Sequence, residues 1–208
     1  MSERPRDIAE TVSRALNEDV GSGDVTAALI GEETQARAYV LVREPAVICG
    51  QPWFSETFAQ ISDAVKVEWH VRECEVAPAD TRICSLEGPA RAILTGERTA
   101  LNFLQTLSAT ASRTHELVAL VEGTDAKILD TRKTIPGLRQ AQKYAVVCGG
   151  GRNHRTGLYD AILIKENHIL AAGSITAAIR MAREMYPALT LEVETENLEE
   201  FDEALAAE

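Results

Sequence analysis

The chain has 208 residues, 45% hydrophobic and 25% charged, which suffices for a substantial core in one or two domains. A net charge of −11 argues against a nucleic-acid backbone as partner, since that needs an extended basic face. No apolar run approaches the ~18 residues that span a bilayer, and MSERPRDIAE has no apolar signal core, so a cytoplasmic location without a membrane partner is expected.

The N-terminal half reads as α+β. After Pro5, the residues Ile8, Val12, Ala15 and Leu16 share one helical face. Period-two patterns at Arg37 to Arg43 and Val65 to Arg72 then predict half-buried antiparallel strands, with a helix from Phe54 to Ile61 between them. Further strands are expected at Thr81 to Leu86 and Ala90 to Leu94, around the Gly88-Pro89 turn. From Thr95 a helical pattern runs to the Glu122-Gly123 stop, read as two helices broken near Ser108.

The second half changes period. Apolar runs at Ala126 to Leu129, Ala161 to Ile164 and Leu189 to Val193 predict buried parallel strands separated by helices, and a final helix covers Leu198 to Ala206. Polar residues follow each run: Asp130, Arg132 and Lys133, then Lys165, Glu166 and Asn167, then Glu194 and Thr195. Carboxyl ends of parallel strands open onto one face, so the chemistry is expected there.

Charge points the same way. Residues 127–165 hold eight Lys or Arg against two acids, +6, while the rest of the chain is −17. This suits a small, highly charged anion. Arg139 and Lys143, four apart on a helix, are read as a solvated face, and His70 and His115 as structural. The Gly149 to Gly151 run reads as either a phosphate-cradling nest or a helix C-cap. Asp19 and Asp24 around the GSG turn have no chemical role by this reading. Cys49, Cys74, Cys84 and Cys148 form no CxxC pair and are expected to be reduced structural thiols.

The segments EDVGSGDVT (Glu18 to Thr26), GERTALNFLQTLSATAS (Gly96 to Ser112), DTRKTIPGLRQAQKYAVVCGGGRNHRTGLYDAILIKENHI (Asp130 to Ile169) and LEVE (Leu191 to Glu194) resemble the quinolinate phosphoribosyltransferases. The resemblance covers nearly the whole chain. It implies an N-terminal antiparallel-sheet α/β sandwich with a linking helix (residues 1–108), followed by the first part of an α/β barrel of the type II phosphoribosyltransferase kind (residues 109–208). The chain stops at Glu208 after the third barrel-type strand, where the family continues, so either a piece of a longer protein or a fragment missing its complement is expected, with activity of residues 1–208 alone doubtful.

The implied reaction joins quinolinate to phosphoribosyl pyrophosphate and releases pyrophosphate and CO2, giving nicotinate mononucleotide with Mg²⁺ as cofactor. The resemblance implies that Arg98, Arg132 and Arg155 clamp the quinolinate carboxylates, with Thr131 and His154 also binding substrate. Lys133 and Lys165 are implied as phosphate or pyrophosphate contacts with catalytic roles, and Glu194 as a catalytic group near the ribose and the metal. It also implies a homodimer or larger homo-oligomer in which Arg98 completes the partner's site. Three alternatives stand beside it: a relative using another pyridine acid, a Schiff-base aldolase-like barrel built on Lys165, and an inactive binding fragment.

Overall fold

A computed structural model describes residues 4–207; residues 1–3 and 208, the outer limits of the two expected domains, lie outside the described residues. The chain forms two compact units, Met1–His154 and Arg155–Glu208.

In the first unit, helix α1 (Ile8–Asp19) sets Val12 fully into the core, with Ile8, Ala15 and Leu16 packed beside it. Strand β1 (Gln35–Val42) alternates exposed and half-buried residues along its whole length, as its period-two pattern requires. A two-residue strand β2 (Ala46–Val47) leads to helix α2 (Gln51–Ile61), which buries Trp53, Phe54, Thr57 and Phe58. Strands β3 (Lys66–Trp69), β4 (Val76–Ala77) and β5 (Thr81–Pro89) complete the unit's strands. They form an antiparallel sheet of order β1-β5-β3 and a separate β2-β4 pair. One sheet face packs on α2 and on helix α3 (Ala90–Leu120) around Ile83, Leu86, Ile93 and Leu104. The expected antiparallel sandwich is therefore present.

Two expectations fail along α3. Ala90 to Leu94 is its first turn rather than a strand, because Pro89 ends β5 and Ala90, Ile93, Ala100, Leu104 and Leu107 then form one buried helical stripe. Nor does the helix break at Ser108. Its hydroxyl accepts from Cys49 N–H (3.0 Å) and donates to Cys49 C=O (3.0 Å), and Ser112 Oγ accepts from Val47 N–H (2.9 Å). These hydroxyls bond to the neighbouring chain instead of competing with their own helix.

The stretch Ala126 to Leu129 is not a strand. It makes a single parallel bridge, Leu129 to Arg152, with Arg152 N–H donating to Ile128 C=O and Asp130 N–H to Arg152 C=O. A one-bridge ladder leaves Leu129 52% exposed, so the run is not buried on both faces as expected. Its pairing partner, Gly151 to Asn153, has no apolar pattern by which to find it. Helix α4 (Arg139–Cys148) follows and packs Ala141, Tyr144 and Ala145 into the core.

Gly149 caps α4, its N–H donating to Ala145 C=O, and Gly150 takes φ +90°. A β-carbon at Gly149 would meet Ala111 C=O at 2.3 Å. The C-cap reading of this glycine run therefore holds, with close packing on α3 as a second requirement.

The four-thiol expectation fails for two cysteines. Cys74, in the loop between β3 and β4, and Cys148, which ends α4, are joined as a disulfide with Cα atoms 4.7 Å apart, although 74 residues separate them in sequence. Cys49 and Cys84 are free and buried, and burial pushes the Cys84 thiol up to about 12.

In the second unit, strands β6 (Ile162–Ile164) and β7 (Leu191–Val193) pair in parallel, Ile162 opposite Leu191 and Ile164 opposite Val193. Helices α5 (Glu166–Ala172), α6 (Ile175–Met185) and α7 (Leu198–Ala206) surround them. The core is Ile164, Ile175, Ala178 and Ile179. Asn197 caps α7 and Ser174 caps α6 through their side chains, which explains why each helix starts where it does.

Candidate active site

The expected site residues are divided between the units: Arg98, Thr131, Arg132, Lys133 and His154 in the first, and Arg155, Lys165 and Glu194 in the second.

Asp130 is the hub of the first set. Its Oδ1 accepts from Lys143 Nζ and from His154 N–H (2.9 Å), and the Lys143 ammonium also donates to His154 C=O (2.9 Å). Asn153, with its amide nitrogen turned toward Asp130, donates to Asp130 Oδ2 (2.7 Å) and to Lys143 C=O (2.9 Å). Side-chain exposures of 3% for Lys143 and 6% for Asp130 overturn the solvated-face reading of Lys143. A buried lysine needs a carboxylate and further acceptors for its ammonium, and Asp130 and the His154 carbonyl supply two. Arg139 is also engaged, its Nε donating to Thr134 Oγ1 at 3.2 Å. Sequence reading missed Asp130, Lys143 and Asn153 as a network. The available signal was Lys143 lying off the Ala141-Tyr144-Ala145 stripe, 13 residues after an aspartate that ends an apolar run.

The segment between these anchors is held by short-range bonds. Thr131 Oγ1 accepts from Lys133 N–H (3.0 Å), leaving the Lys133 side chain in solvent. Among the described residues Arg132 Nε is shielded from solvent and has no hydrogen-bond partner. A shielded, unpaired guanidinium donor is costly to maintain, and an anionic ligand would repay that cost. Arg98 stands on an exposed face of α3.

The loop after α1 has a structural role that the sequence did not reveal. Asp24 Oδ1 accepts from Thr26 and Ala27 N–H, and its Oδ2 accepts from Thr95 Oγ1 (3.0 Å). Asp19 Oδ2 accepts from Thr99 Oγ1 (3.3 Å). The two aspartates thus latch the GSG turn onto α3 on either side of Arg98. The Ala27 N–H, first among these donors, holds the Asp24 carboxyl below the usual carboxylate range.

In the second unit, Lys165 directly follows β6 and Glu194 directly follows β7. Lys165 Nζ donates to both Glu194 oxygens, at 2.6 and 2.8 Å, because parallel, in-register strands bring the residues that follow Ile164 and Val193 side by side. Lys165 N–H donates to His168 Nδ1 (2.9 Å), starting α5. The pair borders an open cleft of about 720 Å³, lined also by Glu166, Asn167, Glu196 and Glu200. Side-chain exposures of 45% and 53% mean that this lysine lacks the desolvated setting a Schiff-base lysine needs. Arg155 donates to Ala161 C=O (3.4 Å), and Asp160 caps Thr156 and Gly157 N–H, which fixes the loop entering β6.

Residues 24–108 match the family described as quinolinate phosphoribosyl transferase, N-terminal domain, and residues 110–208 match its C-terminal domain. The chain is 42% identical over 191 residues to a probable nicotinate-nucleotide pyrophosphorylase [carboxylating] of Bacillus subtilis (strain 168), covering 91% of this chain and 66% of that protein. It is 42% identical over 205 residues to the nicotinate-nucleotide pyrophosphorylase [carboxylating] of Mycobacterium leprae (strain TN), covering 96% and 72%. The chain thus spans about two thirds of the length of these relatives. Among solved structures, the nicotinate-nucleotide pyrophosphorylase from Francisella tularensis superposes with a TM-score of 0.93 at 45% identity, over 100% of this chain and 75% of that one. With both halves of the chain matched in order and the fold reproduced, the chain belongs to the quinolinate phosphoribosyltransferase family.

Proposed function

We propose that the protein transfers phosphoribosyl from phosphoribosyl pyrophosphate to quinolinate with decarboxylation, giving nicotinate mononucleotide, pyrophosphate and CO2 for NAD synthesis. The observation that carries this reading is the shielded, unpartnered Arg132 Nε on the segment anchored by the Asp130-Lys143-His154 network. A fixed guanidinium fork suits a planar dicarboxylate, and the anchoring supplies it preorganised.

Arg132, Arg155 and Arg98 are assigned to the quinolinate carboxylates, with Thr131 and His154 beside them. Lys133 and Lys165 are assigned to the phosphates of the sugar donor, and Glu194 to the ribose and its metal. In this scheme the pyridine nitrogen attacks the anomeric carbon as pyrophosphate leaves. The protein's part is to position the two substrates and to stabilise charge around an oxocarbenium-like transition state, without a protein nucleophile. The cationic side chains then hold the new pyridinium product while CO2 departs. Retention of Arg98, Arg132, His154 and Arg155 together favours quinolinate over a pyridine monoacid.

Mg²⁺ suits the donors present. Glu194 is an exposed oxygen ligand in a cleft with three more glutamates, and Mg²⁺ characteristically takes one or two carboxylates together with substrate phosphates. When bound, it supplies charge neutralisation to the leaving pyrophosphate. A homodimer or larger homo-oligomer with Arg98 reaching the partner's site completes the proposal, with action in the cytoplasm. No helix among the described residues is long and apolar enough to cross a membrane.

The test is to incubate the full-length protein with quinolinate, phosphoribosyl pyrophosphate and Mg²⁺ and follow nicotinate mononucleotide by chromatography. Product requiring both substrates is expected. Turnover of nicotinate in preference to quinolinate would overturn the substrate assignment.

A further inference from the structure

A cluster outside the candidate active site contains three sulfurs and a carboxylate. The Cys49 and Cys148 sulfurs and a Glu73 carboxylate oxygen lie within 4.8 Å of one another, and Cys148 is already bonded to Cys74. From this geometry we infer a thiol–disulfide exchange site in which Cys49 displaces Cys74 from Cys148, with Glu73 accepting the Cys49 proton.

The positions are fixed. Cys49 N–H and C=O are both bonded to Ser108 Oγ, and the residue is fully buried. Glu73 accepts from Gly50 N–H (2.9 Å) and Gln51 N–H (3.1 Å) at the start of α2, which holds a carboxylate oxygen within 4.8 Å of the Cys49 sulfur. Cys74 N–H donates to Ile48 C=O (2.7 Å), so the loop carrying the leaving sulfur is tied to the residue before Cys49. Access divides the roles. Cys74 and Cys148 are half-buried and within reach of a solution thiol, whereas Cys49 is sealed and can act only from inside.

The step balances without an external redox partner. The Cys49 thiol passes its proton to Glu73, and its sulfur bonds to Cys148 Sγ. The Cys74–Cys148 bond breaks, and Cys74 leaves as a thiolate that takes up a proton. Burial pushes both the Cys49 thiol and the Glu73 carboxyl above their ordinary values, which makes that carboxylate a better proton acceptor than an exposed one. Arg4 and Tyr144 are the other ionisable groups acting on Glu73. In a reducing compartment a disulfide beside a spare thiol fits a transient, exchanging bond better than a permanent staple.

The test maps disulfides in the full-length protein by acid quenching, alkylation and peptide mass spectrometry. Catalytic glutathione added to the oxidised protein should generate Cys49–Cys148 peptides beside Cys74–Cys148 peptides, with none in Cys49→Ala. Glu73→Gln should slow their appearance on the order of tenfold or more. In Cys74→Ser, oxidised glutathione should give a Cys49–Cys148 bond rather than a persistent glutathione adduct on Cys148. Cys74–Cys148 as the sole linkage in wild type, with that adduct persisting in Cys74→Ser, would overturn the inference. So would one equivalent of zinc retained by the reduced protein and shielding all three thiols from alkylation, which would make the cluster a metal site instead.

Discussion

Lys143 reaches Asp130 from within helix α4, and the same ammonium holds the carbonyl of His154 at 2.9 Å, so one buried ion pair sets the backbone at both ends of the candidate anion-binding segment. Both side chains are almost wholly out of solvent, and a buried charge that loses its partner is far more costly than the pair itself. Lys143→Met and Asp130→Asn should each destabilise the protein by about 3 kcal/mol or more. The double variant Asp130→Leu/Lys143→Met should recover part of that loss. Urea unfolding of all the variants checks this, and single variants within about 0.5 kcal/mol of wild type would refute it.

Arg132 is expected to matter for turnover and little for folding, since its Nε bonds to no described residue. Arg132→Ala should lower kcat/KM for quinolinate by on the order of 10² or more. Arg132→Lys should recover little, because an ammonium lacks the planar fork. Steady-state kinetics of the full-length variants decide the matter, and wild-type values would remove Arg132 from the site.

The Lys165 and Glu194 pair separates stability from function in the opposite sense to the buried pair. With both side chains about half exposed, its net contribution to folding should stay within ~1 kcal/mol. Lys165→Gln or Glu194→Gln should therefore leave the melting temperature nearly unchanged while reducing phosphoribosyl transfer on the order of 10²-fold. A large drop in thermal stability with activity retained would show the pair to be structural.

If Arg98 completes the partner's site, two inactive variants should complement each other. Mixing Arg98→Ala with Lys165→Ala after subunit exchange should restore up to about a quarter of the sites, since half of randomly mixed dimers are heterodimers with one intact site each. Activity that stays at the level of the separate variants, with exchange verified, would place Arg98 within its own subunit's site or outside any site.

Asp24 gives the loop latch a pH dependence. Its folded-state carboxyl lies below the ordinary value of 3.8, so the unfolded chain takes up the proton first as the pH falls. The latch therefore contributes fully above pH 3.8 and is lost as the pH drops through the folded-state value. Hydrogen exchange of the Thr26 and Ala27 amides, read between about pH 5 and 2, should rise in that window for wild type. Asp24→Asn should show raised exchange with no such window, and a flat wild-type profile would contradict the latch.

Periodicity determined much of this protein in advance. The α1 face, the alternation of β1, the apolar runs that became β6 and β7, and the capped α7 all follow from local pattern, because each element's exposed and buried sides are written into its own residues. The clustering of cations between Lys127 and Lys165 likewise marks the stretch that carries most of the candidate site residues. What the sequence did not determine depends on partners distant along the chain. Lys143 looks solvated until Asp130 and the His154 carbonyl surround it, and Cys74 and Cys148 look reduced until the β3-β4 loop meets the end of α4. Ser108 looks like a helix break until Cys49 takes both of its hydrogen bonds. In each case the side chain's state depends on which groups satisfy or desolvate it, and only the tertiary structure brings those groups within reach.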